Sequence, residues 1–167
     1  MADITSQERV ISALQKLFDN TTAVDRRDKP SHGYRAFHLI VKYGDRLVEI
    51  QIRTSLQHLW AELSEKLSDK IDPALKYGGG NPSFLKLLAS TSELVTDQEL
   101  NELRMVNLQA HLQTRLSQYT TQRALSEEIQ QLLSEVNQQV EENESSGRKV
   151  FESLRRAINL LQTSRKQ

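Results

Sequence analysis

The stretch that decides the fold is RAFHLIVKYGDRLVEIQIRTSLQHLWAE, Arg35 to Glu62. Its first part alternates apolar and polar residues in two runs, with Gly44-Asp45 between them. Alternation of period two is a strand signal, and a two-residue connection with Gly first suits a type II′ hairpin turn. That turn fixes the register. Tyr43 faces Arg46, Val41 faces Val48, Leu39 faces Ile50 and Phe37 faces Ile52. Directly opposed residues project to the same side of a sheet. One face is therefore predicted to be apolar, built from Phe37, Leu39, Val41, Val48, Ile50 and Ile52. The other gathers His38, Glu49, Gln51 and Arg53. After Arg53 the spacing turns helical. Thr54-Ser55-Leu56-Gln57 reads as a capping box, and Leu56, Leu59, Trp60, Leu63 and Leu67 recur on one stripe of the helix it opens. His58, Glu62 and Glu65 share another side of that helix.

Upstream, Thr5-Ser6-Gln7-Glu8 reads as a second capping box, followed by an apolar stripe of Val10, Ile11, Leu14, Leu17 and Phe18. This helix is predicted to stop near Asp19-Asn20. The segment TTAVDRRDKPSHGY, Thr21 to Tyr34, reads as a polar loop, with Arg26, Arg27 and Lys29 just ahead of Pro30. Downstream, Pro73 and YGGGNP close the unit. From Pro82 onward there is no strand signal, and three helices are predicted: Ser83–Ser117, Thr121–Glu142 and Gly147–Thr163. Glu144-Ser145-Ser146-Gly147 is the expected turn between the last two. The second helix carries Leu125, Ile129, Leu132, Leu133, Val136 and Val140 on one stripe; the third carries Val150, Leu154, Ala157, Ile158 and Leu161. Such stripes suit an antiparallel bundle or coiled coil. The second helix is acidic, and the third is basic through Arg148, Lys149, Arg155, Arg156, Arg165 and Lys166. Pairing between the two is a simpler reading than RNA binding.

The bulk properties narrow the function classes. The chain has 167 residues, with 22 Lys plus Arg against 22 Asp plus Glu, so net charge names no partner. The absence of cysteine excludes disulfides, thiolate nucleophiles and Cys-type zinc sites. No run is long and apolar enough to span a bilayer, and MADITSQERV lacks a hydrophobic signal core. The expected location is cytoplasmic.

An acid beside a His, a Gln and an Arg suits the handling of a nucleotide. A carboxylate can hold Mg²⁺ or take a proton from a hydroxyl. Arg and Lys can hold phosphate oxygens, and an aromatic such as Tyr34 can stack on a base. An ordinary solvated sheet face shows the same pattern. His58 and Glu62, one turn apart, read as a hydrogen-bonded pair rather than a metal site. YGGG lacks the Lys-Ser/Thr of a phosphate-binding P-loop.

Taken together, KPSHGYRAFHLIV (Lys29–Val41), VEIQIRTSLQHLWAELSEKLSDK (Val48–Lys70) and KYGGG (Lys76–Gly80) resemble the synthetase domain of the RelA/SpoT family. That family makes the alarmones ppGpp and pppGpp by moving pyrophosphate from ATP to the 3′-hydroxyl of GDP or GTP. The resemblance covers roughly Thr5 to Gly80. It implies that the loop Lys29 to Tyr34, with Arg26 and Arg27 ahead of it, cradles the guanine nucleotide, and that Tyr34 stacks on the base. His38, Glu49, Gln51 and Arg53 are the implied catalytic set, with Glu49 beside Mg²⁺ and the acceptor hydroxyl. In the family, an Arg/Lys-rich ATP segment and an Asp-x-x-Gly-x-Arg strand precede this part. The sequence starts downstream of them, so GDP or GTP is the expected partner, and ATP binding and transfer are expected to be impaired.

The expected fold class is α+β and mostly helical. It has a two-stranded antiparallel hairpin from a truncated nucleotidyltransferase-type sheet, flanked by helices, and a C-terminal helical bundle or coiled coil. Residues 1–80 would form the partial synthetase-like domain and residues 81–167 a helical extension. The hairpin's apolar face is expected to pack on the first helix, the Trp60 helix and the bundle, and the sheet to keep an exposed edge. The alternative expectation is a non-catalytic guanine-nucleotide-binding module or a helical oligomerisation module, with homo-oligomers formed through the extension. Neither a membrane nor DNA is an expected partner.

Overall fold

The computed structural model describes residues 3–119 and 127–163. Gly44-Asp45 joins strands β2 (Phe37–Tyr43) and β3 (Arg46–Ile52), which follow β1 (Thr22–Asp25). The β2–β3 register is the one the turn dictates, from Tyr43 opposite Arg46 to Phe37 opposite Ile52. Gly44 has φ +60°, while Asp45 is not in the left-handed region, as a type II′ turn requires. The expectation of two strands is corrected to three. β1 pairs antiparallel with β2, Thr22 opposite Ile40 and Asp25 opposite Phe37, giving the order β1-β2-β3. TAVD is four residues long and mostly exposed, so it has no alternation to announce it. Its ladder partner lies a dozen residues or more downstream. Among the described residues neither β1 nor β3 has a strand on its outer side.

Helix α1 (Ile4–Leu17) starts earlier than its sequence suggests. Asp3, not Thr5, is the N-cap, and its Oδ1 accepts from the Ser6 amide at 2.6 Å. Asp is as good a cap as Thr, and Gln7 and Glu8 are engaged elsewhere: Glu8 pairs with Arg27, and Gln7 is fully buried. Ile11, with Leu14 and Phe18 beside it, closes over Phe37, Leu39, Val41 and Ile52 to form a first core. Val10 and Leu17, expected on the buried stripe, are exposed. The sheet's apolar face thus packs on α1, except at Val48, which is exposed. The Trp60 helix and the bundle, expected there too, build a core of their own.

That second core belongs to α2 (Ser55–Lys70), the 3₁₀ turn Pro73–Tyr77, α3 (Pro82–Tyr119) and α4 (Glu127–Thr163). Leu56, Leu59, Trp60, Leu63 and Leu67 of α2 meet Leu75, Leu88, Val95, Val150, Leu154 and Ile158. Burial of each large apolar side chain is worth about 1.5–3 kcal/mol. The cluster joins residues on both sides of residue 80. Trp60 keeps its indole N–H satisfied by donating to the Leu88 carbonyl at 2.9 Å.

Among the described residues, the three helices expected after Pro82 are two. α4 runs straight through the predicted turn Glu144-Ser145-Ser146-Gly147. Gly147 is a packing notch: a Cβ there would stand 2.7 Å from Nε2 of Gln98, the α3 amide that donates to the Asn143 carbonyl at 3.3 Å. The acidic and basic segments read as partners are consecutive parts of one helix, so they cannot pair across a turn. Thr121, Leu125, Arg165 and Lys166 lie outside the described residues, and so do the side chains of Ile129 and Leu132.

A buried polar joint lies between the two cores. Thr54 caps α2 as predicted: its Oγ1 accepts from the Gln57 amide at 3.1 Å, and Gln57 Oε1 accepts from the Thr54 amide at 3.2 Å. Gln7 donates to Gln57 Oε1 at 2.9 Å and to the Ile52 carbonyl at 2.8 Å. Glu99 of α3, 2% exposed, accepts from Thr54 Oγ1 at 2.6 Å and Gln57 Nε2 at 3.2 Å, with Arg35 Nη2 at 3.6 Å. Burial pushes the Glu99 carboxyl above its ordinary 4.5, against the pull of these donors and of Arg35. Glu102, one turn on, is raised by its own burial in the same way.

The folded chain therefore holds the Glu99 proton more tightly than the unfolded chain does. The stability this carries is fully present below the ordinary carboxylate value and is lost as pH rises through the raised one. Gln keeps the neutral form at every pH. Thermal unfolding of Glu99→Gln should therefore improve relative to wild type as pH rises from the acid range toward neutrality. A gap that closes in the opposite direction would show that the ionised form is the better fitted.

Candidate functional site

The sheet's polar face and the loop before β2 open on a cavity of about 430 Å³, bounded on its other side by α2 and the 3₁₀ turn. Trp60, Ala61 and Leu75 supply an apolar floor. Arg26, Tyr34, His38, Gln51, Arg53 and Lys76 supply polar walls, and Ser31, His32, Ser64 and Glu65 complete them.

The loop is set by its backbone. His32 and Gly33 have φ +53° and +88°, and the Tyr34 amide donates to the Ser31 carbonyl at 2.9 Å. Two successive left-handed residues make a type I′ turn. Gly33 is needed for space as well as for conformation. A Cβ on it would lie 2.7 Å from Trp60 Cζ2, and its carbonyl accepts from Ser92 Oγ of α3 at 2.7 Å. Indole and α3 together seat the turn, which aims Tyr34 at the sheet.

Four of the predicted residues form a connected chain with Tyr34. Arg53 Nη2 donates to Tyr34 Oη at 2.7 Å, and its guanidinium lies 5.0 Å from the centre of the phenol ring. Tyr34 Oη is 3.0 Å from His38 Nε2, and His38 Nδ1 is 2.6 Å from Glu49 Oε1. Gln51 closes the circuit, donating to Glu49 Oε2 at 3.2 Å and accepting from Arg53. Arg53 can only donate, so the phenol accepts from it and is free to donate its own hydrogen to Nε2. A neutral His38 then carries its proton on Nδ1 and presents it to Glu49. The bonds from Gln51 and then from His38 hold the Glu49 carboxyl below its ordinary value. It is ionised at neutral pH, and nearly half exposed.

Arg26 and Arg27 part company. The Arg26 amide extends the β1–β2 ladder by donating to the Ala36 carbonyl at 3.0 Å. Neighbours on an extended chain point to opposite sides. Arg26 lines the cavity, while Arg27 turns to α1, where it pairs with Glu8 and Asp25 and lies 5.4 Å over the Phe37 ring. Its bond to Asp25 holds that carboxyl low. Lys29 is exposed and stands outside the cavity lining. His58 lies in an adjoining cavity of about 470 Å³ with Gln51, Arg53 and Phe151. Sequence reasoning missed Lys76, Glu65 and the second role of Trp60. Lys76 stood inside the KYGGG motif, but no periodicity could place it opposite Tyr34.

Among the described residues no three His, Cys, Asp or Glu side chains cluster closely enough to hold a metal by themselves. Glu49 offers one exposed carboxylate. That fits a magnesium ion carried by phosphate and water with a single protein ligand, a common arrangement for this ion.

Comparison with known proteins supports the class. The region found in RelA/SpoT proteins matches residues 1–72, so this part of the chain is similar to a RelA/SpoT-family domain. The GTP pyrophosphokinase YjbM of Bacillus subtilis (strain 168) is 38% identical over 98 residues, covering 50% of this chain and 44% of that protein. The uncharacterized protein Rv1366 of Mycobacterium tuberculosis is 44% identical over 59 residues, 35% of this chain and 22% of that protein. The chain thus spans less than half the length of these relatives. No solved structure matches it significantly.

Gly33→Ala should destabilise the fold by about 2–4 kcal/mol, combining left-handed strain with an overfilled site against Trp60. Urea unfolding measures this. Tyr34→Phe should cost about 1 kcal/mol. In a double-mutant cycle with Arg53→Met the two losses should fall short of additive, because both remove the same bond. Additive losses would mean that the Arg53–Tyr34 bond contributes nothing in solution.

Proposed function

We propose that the Tyr34 cavity holds a guanine nucleotide, and that the chain serves alarmone synthesis, the transfer of pyrophosphate from ATP to the 3′-hydroxyl of GDP or GTP. The observation that carries this reading is the convergence of Arg26, Arg53 and Lys76 with the Tyr34 ring on one cavity of about 430 Å³. That volume suits a small-molecule ligand. Three cations answer the charge of a di- or triphosphate, and an aromatic ring answers the base. Arg53 covers one face of the phenol, so a stacked base takes the other.

Glu49 supplies the chemistry. Its ionised carboxylate, oriented by His38 and Gln51, is placed to accept the proton of an attacking hydroxyl. The same group offers Mg²⁺ a protein ligand, and the ion when bound would neutralise phosphate charge. His38 holds the carboxylate through Nδ1, and Tyr34 in turn fixes His38. The Bacillus subtilis relative is named a GTP pyrophosphokinase, which supports the same assignment.

Calorimetric titration with GDP should show binding, weakened about tenfold by Tyr34→Ala and by Lys76→Ala, the usual scale for one stacking or charged contact. Labelled ATP with GDP should yield a small amount of product, and that product should disappear in Glu49→Gln. No GDP binding, or binding indifferent to both cavity substitutions, would refute the nucleotide assignment. Product that persists in Glu49→Gln would refute the role of Glu49.

A further inference from the structure

We infer that Glu99, on α3 and beyond the matched residues 1–72, is a positioning residue for the nucleotide cavity. The inference rests on the nucleotide reading of that cavity. The hydrogen bonds and ion pair of Glu99 go to Thr54, Gln57 and Arg35, outside the lining. Glu99 holds two residues that are chain neighbours of the lining: Arg35 follows Tyr34, and Thr54 follows Arg53. One carboxylate oxygen accepts from Thr54 Oγ1 at 2.6 Å, and the other accepts from Gln57 at 3.2 Å and faces Arg35 Nη2 at 3.6 Å. Tyr34 and Arg53 are themselves joined at 2.7 Å on the cavity side. The loop wall and the strand wall are thus tied twice, once in front by their own side chains and once behind by a single buried carboxyl group.

Two further observations fit this role. Arg35 Nε is buried with no hydrogen-bond partner, and Glu99 Oε2 stands within ion-pair reach of this guanidinium at 3.6 Å. An acid facing a largely buried guanidinium lowers the cost of burying it, so the backbone on either side of Arg35 is favoured where Glu99 stands. Ser92 and Val95 precede Glu99 on α3 by seven and four residues and so share its helix face. Ser92 Oγ donates to the Gly33 carbonyl at 2.7 Å, and Val95 is 1% exposed. One face of α3 is therefore the back plate of the cavity. A plain core pair would add stability without any local effect on binding, and that difference is measurable.

The test uses the full chain with Glu99→Leu, which removes both acceptor oxygens, and Arg35→Met, which removes the cation from the other end. Amide hydrogen exchange is read alongside GDP titration. Exchange should quicken in residues 31–36 and 53–57 in both variants and stay unchanged in α4. The GDP dissociation constant should rise about five- to tenfold, the coupling expected within one hydrogen-bond network. Unchanged exchange in those two segments, a loss of protection spread evenly over both cores, or a dissociation constant within about twofold of wild type would overturn the inference. If wild type binds no GDP, the nucleotide reading fails, and the exchange comparison still decides whether Glu99 holds the two walls.

Discussion

The Thr54 hydroxyl is the point on which the architecture turns. It has one hydrogen to give and lone pairs to receive, and both capacities are used: it accepts from the Gln57 amide and donates to Glu99. The first contact stops β3 and starts α2. The second fixes α2 against α3. Gln57 closes the cap and passes its remaining contacts to Gln7 and Glu99, which brings in α1. In a buried, weakly screened setting such a network is favourable only with every partner present. The joint thus determines how the two apolar cores meet.

Each core alone is thin. Three short strands need a covering layer, and α1 supplies it on the apolar side. The polar side has no such cover. It faces the cavity, whose far wall is the outer surface of the second core through Trp60 and Leu75. Trp60 serves both roles at once, filling the helical core and supporting the type I′ turn that carries Tyr34. The cavity therefore exists because two independently packed layers are held apart at a fixed separation by polar contacts at one end.

What could be read from the sequence was local. The Gly44-Asp45 turn and the alternation about it fix the β2–β3 register within a few residues, and the Thr54–Gln57 cap is complete in four. His38, Glu49, Gln51 and Arg53 therefore fell on one face as expected. What escaped was non-local or ambiguous. β1 is too short to show a period, and its ladder lies on a strand a dozen or more residues away. Arg26 and Arg27 look alike in a list, and only an extended chain at that point separates them. Asp3 and Thr5 are both good caps, and the choice depended on where Gln7 and Glu8 were needed. Gly147 carries a turn's composition but answers to Gln98 on another helix. Glu99 gave no signal at all, because an acid in a polar helix normally faces water.

The contacts behind the cavity also bear on the order of events during synthesis. The Gly33 turn leans on Ser92, 59 residues later, and Thr54 waits for Glu99, 45 residues later. Closing loops of that length is entropically costly until the contacts at their ends form. A nascent chain can complete its hairpin early, since that pairing is local. It cannot complete the cavity until α3 has emerged past residue 99. The sheet's polar face spends that interval without its back plate, a period in which chaperone contact or a premature stop would have its largest effect.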